Sequence, residues 1–427
     1  MPTTIRPSVA AFRQFGWLPA NKEVYEEFMG DLTKRVRYHG ADQVELLPPI
    51  KDFKEFIETN ATVYGEFVRM FQGITESPTN HTELLYMFND IFRKAPYYGD
   101  LGPPMYMIMA RIMNTQGGFS AFTKENLNLH FKKLFDTWAT FLSSKDSRYV
   151  LVKGTFLIDG KTYHGWFSDT AKAALMKQFA SGRTFEDVYI CDANAEFHGY
   201  TSFDDFFNRK FRAVDIDRPI PGEPGKPPVD DTTIVGAPCE SMFYHRQENL
   251  KMIDDLFIKD EAYSLVHLLT TDPLAKQFEG GSILQGFLNI IDVPGTYFAQ
   301  APSTIGDPIP PPDDDENLPP YLKSLSFFSN VAARQIMFIE ADNSDVGLIF
   351  FVSIGMTEIS TCQATVYDGQ HVNRGDELGM FHFAGSSFVI GFRGTSKVKI
   401  DGKFPEVPPD DHMISILINE AIAAVDK

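Results

Sequence analysis

The sequence predicts an α+β fold, in which a mainly helical amino-terminal domain at residues 1–200 precedes a β-rich domain at residues 201–427. Two patterns predict this order. Apolar residues recur at helical spacing in the first part of the chain, whereas short apolar runs bounded by turn residues dominate the second part. Between them, Pro219 to Asp231 is rich in proline and glycine, which is typical of a linker or a long surface loop.

Three helices are predicted in the first part. Apolar residues recur every four positions from Val24 to Leu32, which gives the first helix an apolar stripe. A second helix begins near Thr82 and ends before Pro96, because proline cannot continue a helix. The third spans roughly Lys124 to Leu142 and carries a wide stripe of leucine and aromatic residues. We interpret these stripes as core-facing rather than as cofactor sites.

The second part predicts strands. Ile336–Ala341 and Val346–Ile354 are apolar runs joined by four polar residues, a pattern that indicates a β-hairpin. The segment from Pro308 to Pro320 combines many prolines with consecutive acidic residues, so we expect a solvated loop there.

Composition and charge exclude several functional classes. The 427 residues carry a formal net charge of -18, which argues against binding to nucleic acid or to an anionic membrane surface. The longest apolar run, near Val346–Met356, is too short to span a bilayer. Met1–Gly16 lacks the apolar core of a signal peptide, and the three cysteines form no C-x-x-C motif. We therefore expect a cytoplasmic protein with reduced thiols and no metal site.

The most informative segment surrounds Ser386. Phe381 and Phe383 alternate with other residues and predict a strand that leads straight into Gly385-Ser386-Ser387, and Phe388–Ile390 leaves it as another strand. Because Gly385 has no side chain, its carbonyl is open to attack by the Ser386 hydroxyl. Elimination from the resulting ester would cut the chain between residues 385 and 386 and leave Ser386 as an amino-terminal pyruvoyl group. That reaction needs a base and oxyanion donors. Taken alone, Gly-Ser-Ser is more often an ordinary turn.

Four segments, in the right order, resemble the phosphatidylserine decarboxylase superfamily. They are Gly369–Ser386, Phe206–Arg209 with Arg212 and Arg218-Pro219, Pro238–Ser241, and Val293–Gly295 with Phe298. The resemblance implies a decarboxylase-like fold for the β-rich domain and self-cleavage into a β chain that ends at Gly385 and an α chain that begins at Ser386. It implies a covalent pyruvoyl (pyruvate) cofactor made from Ser386, whose ketone accepts the electron pair released with carbon dioxide. Glu240 stands at the family's aspartate position and could orient a base, or it is a solvated carboxylate at a strand end.

Within the superfamily, the chain closely resembles the fungal aromatic-amino-acid decarboxylases over nearly its whole length. The matching segments include Phe88–Pro96, Leu129–Phe135, Thr296–Gly306 and Ile354–Ser360. This resemblance implies decarboxylation of an aromatic L-amino acid, with L-tryptophan to tryptamine first in order. Partners are then a small amino-acid substrate, the chain's own cleaved halves and, in an assembly, a second copy of the chain. Candidate pocket residues are Tyr297, Phe298, Thr357 and Glu358.

One family feature is absent from this sequence. The family carries a Tyr-His-Arg-x-His-x-Pro segment before its Val-Pro-Gly motif, and its second histidine is the base for self-cleavage. Here Asn289 runs through three residues directly into Val293. His382 does not replace that base on a continuous strand, because four residues of strand span about 13 Å. His245 and His371 are more typical of strand or surface histidines. Either the gene prediction has lost an exon, or the chain as written matures poorly.

Three alternatives stay open. The first is a phosphatidylserine decarboxylase. The second is an unprocessed, catalytically silent relative with a binding or structural role. The third rests on the glycine spacing of Gly369–Gly379, which resembles a lipoyl or biotin carrier, but no lysine lies at the expected turn.

Overall fold

The structure is a computed structural model, and it describes residues 19–426 with internal gaps. The gaps are residues 20–21, 39–43, 100–103, 114, 159, 180–181, 222–230, 254–255, 259–260, 289–331, 356–361, 383–386 and 407–413. The predicted loops Pro219–Asp231, in large part, and Pro308–Pro320, entirely, lie outside the described residues.

Helices dominate the first part of the described chain. They are α1 (Lys22–Tyr38), α2 (Pro48–Thr59), α3 (Ala61–Met70), α4 (His81–Ile91), α5 (Pro104–Met109), α6 (Gln116–Phe122), α7 (Glu125–Leu142), α8 (Asp169–Leu175), α9 (Phe185–Val188), α10 (Phe203–Phe207), α11 (Val214–Asp217) and, later in the chain, α12 (Leu265–Leu268). Short 3-10 helices lie at Lys145–Val150, Glu196–Gly199 and Pro273–Phe278.

The three predicted helices are confirmed as α1, α4 and α7. In α1 the fully buried face is carried by Tyr25, Met29 and Leu32. Leu32 belongs to the predicted stripe, whereas the other stripe residues Val24 and Phe28 are only partly buried. Helix α4 begins where the Asn80 side chain accepts a hydrogen bond from a backbone N–H of the first turn, a favourable N-cap. These caps and apolar faces explain why the sequence pattern located the helices within a few residues.

Among the described residues, strands form five antiparallel sheets. The strands are β1 (Thr155–Ile158), β2 (Lys161–His164), β3 (Ile234–Gly236), β4 (Ser241–Glu248), β5 (Leu256–Ile258), β6 (Glu261–Tyr263), β7 (Ser282–Phe287), β8 (Arg334–Glu340), β9 (Leu348–Ile354), β10 (Cys362–Ala364), β11 (Gly379–Phe381), β12 (Ser387–Phe392), β13 (Val398–Ile400), β14 (Ser415–Ile416) and β15 (Ala421–Val425). The largest sheet has six strands in the order β14-β4-β7-β12-β9-β8. The remaining sheets are β1-β2, β5-β6, β10-β11 and β13-β15-β3.

The predicted hairpin is confirmed as the antiparallel pair β8–β9, in register from Arg334 opposite Ile354 to Glu340 opposite Leu348. The predicted passage of one strand straight into the Gly-Ser pair is wrong. Strand β11 ends at Phe381 and pairs with β10, whereas β12 starts at Ser387 inside the six-stranded sheet. The chain therefore changes sheets between these two strands, because each finds its hydrogen-bonding partner in a different layer.

Both parts of the chain contribute to one large apolar core, and a smaller cluster covers one face of the six-stranded sheet. The large core includes buried residues from Tyr25 to Ala423. The smaller cluster joins α12 to β9 and β12 through residues such as Leu265, Val352 and Val389. The α+β class is thus confirmed. Among the described residues, none of the helices combines the length and apolarity needed to cross a bilayer.

Candidate active site

The predicted site residues flank or follow strands that meet at one edge of the six-stranded sheet. Ser387, the first residue of β12, pairs with Phe287 at the end of β7 and with Ile354 at the end of β9. Phe287 in turn pairs with Met242 near the start of β4, and Ile354 pairs with Arg334 at the start of β8. Antiparallel pairing therefore brings two strand ends and three strand starts into a single row.

Six of the seven predicted site residues lie outside the described residues: Gly385, Ser386, Tyr297, Phe298, Thr357 and Glu358. Their placement in the chain still relates them to the edge just defined. Tyr297 and Phe298 belong to the segment after β7, Thr357 and Glu358 follow β9, and Gly385-Ser386 precedes β12. All three segments are attached to the sheet at the same edge. Their roles stay predictions.

Glu240 is the one predicted site residue that the structure describes, and it lies directly before β4 at this edge. Its side chain is 2% exposed and forms an ion pair with the guanidinium of Arg218, whose side chain is 4% exposed. The Arg218 guanidinium also lies 4.1 Å from the centre of the Phe179 ring and donates to the backbone carbonyl of Asp217 at 2.7 Å. The interpretation of Glu240 as a solvated carboxylate is therefore wrong. A buried carboxylate at this position requires a paired cation.

Buried polar side chains extend from the edge into the sheet. Ser387 is 4% exposed, Gln285 is 2% exposed and His245 is 3% exposed. Gln285 pairs across the sheet with both His245 and Val389, two residues along β12 from Ser387, so the three polar side chains share one face. Within the described part of the chain, no group hydrogen-bonds the Ser387 hydroxyl or the amide of Gln285. Buried polar atoms are normally paired, so these atoms indicate polar chemistry at this face.

His245 lies inside the six-stranded sheet and not in the row of strand termini that contains Ser387. It lies two strands and two residues from Ser387, which separates their Cα atoms by roughly 12 Å. Burial lowers the pKa of His245 to about 4, so the ring is neutral at pH 7. The expectation of a strand histidine is confirmed. His371 is a surface histidine, 68% exposed, whose Nε2 lies 2.9 Å from Asp342.

His382 is the last described residue before the segment that contains Gly385 and Ser386. Its Nδ1 is 3.0 Å from both carboxylate oxygens of Asp204 in α10, and its Nε2 is 2.7 Å from Oε1 of Gln363 in β10. The separation of about 13 Å between His382 and Ser386 applies only to a continuous strand. Because β11 and β12 belong to different sheets, no continuous strand joins these two residues. A carboxylate that orients a histidine is the usual support of a catalytic base.

Sequence reasoning missed Arg218, Asp204 and Gln285 as partners of Glu240, His382 and His245. Arg218 belongs to the family's Arg-Pro motif, so the motif itself marked this residue as a candidate partner of Glu240. Asp204 comes two residues before the Phe-Phe-x-Arg motif and had none, because its partner His382 is 178 residues away. Gln285 reads from sequence as an ordinary strand residue, since only the register of β4 and β7 places it beside His245.

Comparison with known proteins places the chain among decarboxylases. Two family models, each described as phosphatidylserine decarboxylase, match residues 47–175 and residues 315–404. The first falls in the helical part. The second contains β8, β9 and β12, three of the five strands that meet at the edge.

Three curated relatives are similar over most of the chain. An L-tryptophan decarboxylase of Psilocybe cyanescens is 61% identical over 99% of this chain and 97% of its own length. An L-tryptophan decarboxylase of Psilocybe cubensis is 55% identical over 98% of this chain and 96% of its own length. The decarboxylase iboD of Amanita muscaria is 36% identical over 68% of this chain and 84% of its own length.

Proposed function

The chain belongs to the phosphatidylserine decarboxylase family, and we propose that it is a pyruvoyl-dependent aromatic-amino-acid decarboxylase that converts L-tryptophan to tryptamine and carbon dioxide. The observation that carries the proposal is the shared edge of the six-stranded sheet. The segments with Ser386, with Tyr297 and Phe298, and with Thr357 and Glu358 all attach there, beside Glu240.

The proposed roles follow from this arrangement. The Ser386 hydroxyl attacks the carbonyl carbon of Gly385, and the amide nitrogen leaves as the ester forms. Elimination then breaks the ester, frees a carboxylate on Gly385 and leaves a dehydrated residue 386. Water adds to it and ammonia departs, which completes the pyruvoyl group. Glu240 acts as a positioning residue that orients the base, and the ion pair with Arg218 fixes its carboxylate.

The surroundings described by the structure suit such a group. A pyruvoyl group supplies an electron sink for decarboxylation without a separately bound cofactor. The buried polar face of Ser387 and Gln285 begins one residue after Ser386, and apolar residues such as Val389 surround it. We propose that this face, together with Tyr297, Phe298, Thr357 and Glu358, contacts the substrate. The division into a helical domain at 1–200 and a β-rich domain at 201–427 also stays a proposal.

Processing is the direct test. The intact mass of the purified full chain should resolve into two fragments, 1–385 and 386–427, with one water gained and one ammonia lost. Ser386→Ala should remain a single chain with no decarboxylation of L-tryptophan. An uncut wild-type chain that still decarboxylates L-tryptophan would contradict the pyruvoyl mechanism.

Substrate class needs its own assay, since relatives of both kinds share the fold. Mature protein should release carbon dioxide from carboxyl-labelled L-tryptophan and not from dispersed phosphatidylserine. Release from the lipid alone would favour the family's phospholipid reaction over the proposed one.

The family's base for self-cleavage has no counterpart at its usual place in this chain. The alignment with the Psilocybe cyanescens relative spans 444 positions, more than the 427 residues of this chain, so at least 17 positions of the relative have no counterpart here. We propose that the histidine segment missing between Asn289 and Val293 is among these positions. It favours a second candidate function, a silent relative that is never processed.

Two measurements separate these candidates. Sequencing the transcript across Asn289 and Val293 shows whether an exon has been lost from the gene prediction. If the transcript encodes the chain as written, His382 is the first residue to substitute, because Asp204 orients it and Ser386 follows four residues later. His382→Gln and Asp204→Asn should then both slow processing, while His371→Gln should not. Equal processing in all three variants would remove His382 as the base.

A further inference from the structure

The helical part of the chain contains a cleft of about 720 Å³ that the proposed reaction does not use. Its walls are α1, the loop that follows α4, and the β1–β2 hairpin, and none of its lining residues belongs to the six-stranded sheet. Pockets for small ligands typically measure roughly 300–1,000 Å³. The cleft is therefore large enough for a molecule of amino-acid size with a ring.

The cleft has a rigid aromatic surface centred on Tyr97. The Tyr97 ring centre lies 4.6 Å from that of Phe156, 5.7 Å from that of Tyr149 and 5.5 Å from that of Tyr163. The Tyr149 hydroxyl both accepts from and donates to the backbone of Ala95, at 2.9 and 3.1 Å. Because the rings are held by one another and by the backbone, a planar ligand would meet preformed aromatic faces.

One cluster of charged side chains on the cleft wall contains more carboxylates than cations. The ammonium of Lys161 lies 2.9 Å from a carboxylate oxygen of Glu27 and 2.6 Å from one of Asp31. Lys34 also contacts Asp31 at 3.4 Å, but its side chain is 81% exposed and does not line the cleft. Within the cleft, two carboxylates thus share one ammonium.

A second charged group has the opposite imbalance. The carboxylate of Asp90 accepts from the ammonium of Lys94 at 2.7 and 2.8 Å and from Nε of Arg35 at 3.2 Å. Two cations here share one carboxylate. Asp31 and Arg35 are one turn apart on α1, a rise of about 6 Å, so the two groups are neighbours on the same wall.

We propose that this cleft binds an aromatic amino acid as a zwitterion. Its ammonium would lie beside Glu27 and Asp31, its carboxylate beside Arg35 and Lys94, and its ring against Tyr97. The inference needs nothing from Ser386 and does not rest on the proposed reaction. Since the proposed substrate, L-tryptophan, is also an aromatic amino acid, occupancy of the cleft would depend on substrate concentration.

The test uses the full-length Ser386→Ala chain, which cannot consume the ligand. Equilibrium dialysis would measure three probes: L-tryptophan, tryptamine, which lacks the carboxylate, and indole-3-propionate, which lacks the ammonium. Arg35→Gln should weaken L-tryptophan and indole-3-propionate by about tenfold each and leave tryptamine unchanged, because one charge-assisted contact is lost. Glu27→Gln should weaken L-tryptophan and tryptamine and leave indole-3-propionate unchanged.

A matched control is Lys54→Gln, which breaks the i,i+4 ion pair with Glu58 outside the cleft. It should change none of the three affinities. Absence of L-tryptophan binding, or affinities that the Arg35 and Glu27 variants leave unchanged or reduce equally for all probes, would overturn the proposal. Because processing is abolished in every variant, these results are independent of whether the wild-type chain decarboxylates tryptophan.

Discussion

At the scale of single residues, Arg218 and Glu240 form a buried ion pair in the described site. Both side chains are buried, and the opposite charges offset part of the cost of removing each from water. Removal of one partner from a buried pair typically costs about 3–5 kcal/mol, whereas replacement of both by apolar residues can be nearly neutral.

Arg218→Met should therefore lower the free energy of unfolding by about 3 kcal/mol or more. The double variant Arg218→Met/Glu240→Leu should recover most of that loss. Urea unfolding of Ser386→Ala chains, which are not cleaved, measures both. Lys54→Met, which breaks an exposed pair, should cost less than about 1 kcal/mol. A loss for Arg218→Met no larger than for Lys54→Met would show that the pair is effectively solvated.

His245 makes stability depend on pH in a defined window. Burial lowers its pKa to about 4 in the folded chain, whereas an unfolded histidine titrates near pH 6.5. Below pH 6.5 the unfolded state binds a proton that the folded state does not, so the free energy of unfolding falls as the pH drops from 6.5 to 4. The expected contribution is up to about 3 kcal/mol.

His245→Leu should flatten this part of the curve of stability against pH, measured by urea unfolding at pH 7, 6, 5 and 4. The exposed His371 supplies the control, and His371→Gln should leave the curve as in the parent chain. The same slope in the His245→Leu and parent chains would mean that the His245 ring is protonated in the folded state.

At the scale of elements, helices α3 and α6 cross with a backbone-to-backbone contact that only glycine allows. A Cβ atom on Gly117 would lie 2.5 Å from the backbone nitrogen of Met70 and 2.6 Å from the carbonyl oxygen of Glu66. No flexible side chain is available to yield there, so the helices themselves would have to separate.

Gly117→Ala should accordingly destabilise the chain by about 3 kcal/mol, because overpacking at this contact displaces α6 from α3. Gly65→Ala, in α3 itself, meets no atom within 4 Å and should instead stabilise by about 0.5–1 kcal/mol through helix propensity. Thermal or urea unfolding of the two variants would give opposite signs. Two changes of the same sign would contradict the close crossing.

At the scale of the whole molecule, the helical and β-rich parts share their core. The ring of Phe206 lies 5.4 Å from both Trp166 and Phe167 and 5.6 Å from Tyr200, so aromatic residues on both sides of position 200 form one cluster. The backbone N–H of Phe203 also donates to the Ser147 hydroxyl at 2.8 Å, which is a further contact between the two parts.

A fragment of residues 201–427 expressed alone should therefore lack cooperative unfolding, since its half of the aromatic cluster would be exposed. Near-ultraviolet circular dichroism and urea unfolding would show this, with the full Ser386→Ala chain as reference. Co-expression with residues 1–200 should restore a cooperative transition. A fragment that unfolds cooperatively by itself would show that the β-rich part is energetically independent.

Periodicity and motifs in the sequence predicted several helices, one hairpin and the reactive segment of this protein. The stripes of α1, α4 and α7 and the β8–β9 hairpin follow from local spacing, because one buried face imposes a period of about 3.6 on a helix and about 2 on a strand. The motif around Ser386 and the family resemblance determined the proposed chemistry in the same way.

The tertiary structure decided which distant residues meet. Strand β11 pairs with β10 and not with the six-stranded sheet, which no local pattern reveals. The burial of Glu240 against Arg218 and the position of Gln285 beside His245 depend on packing and strand register. Sequence spacing determines which face a side chain shares along its own element, but long-range pairing alone brings five strand termini to the edge where β12 begins, one residue after Ser386 in the chain.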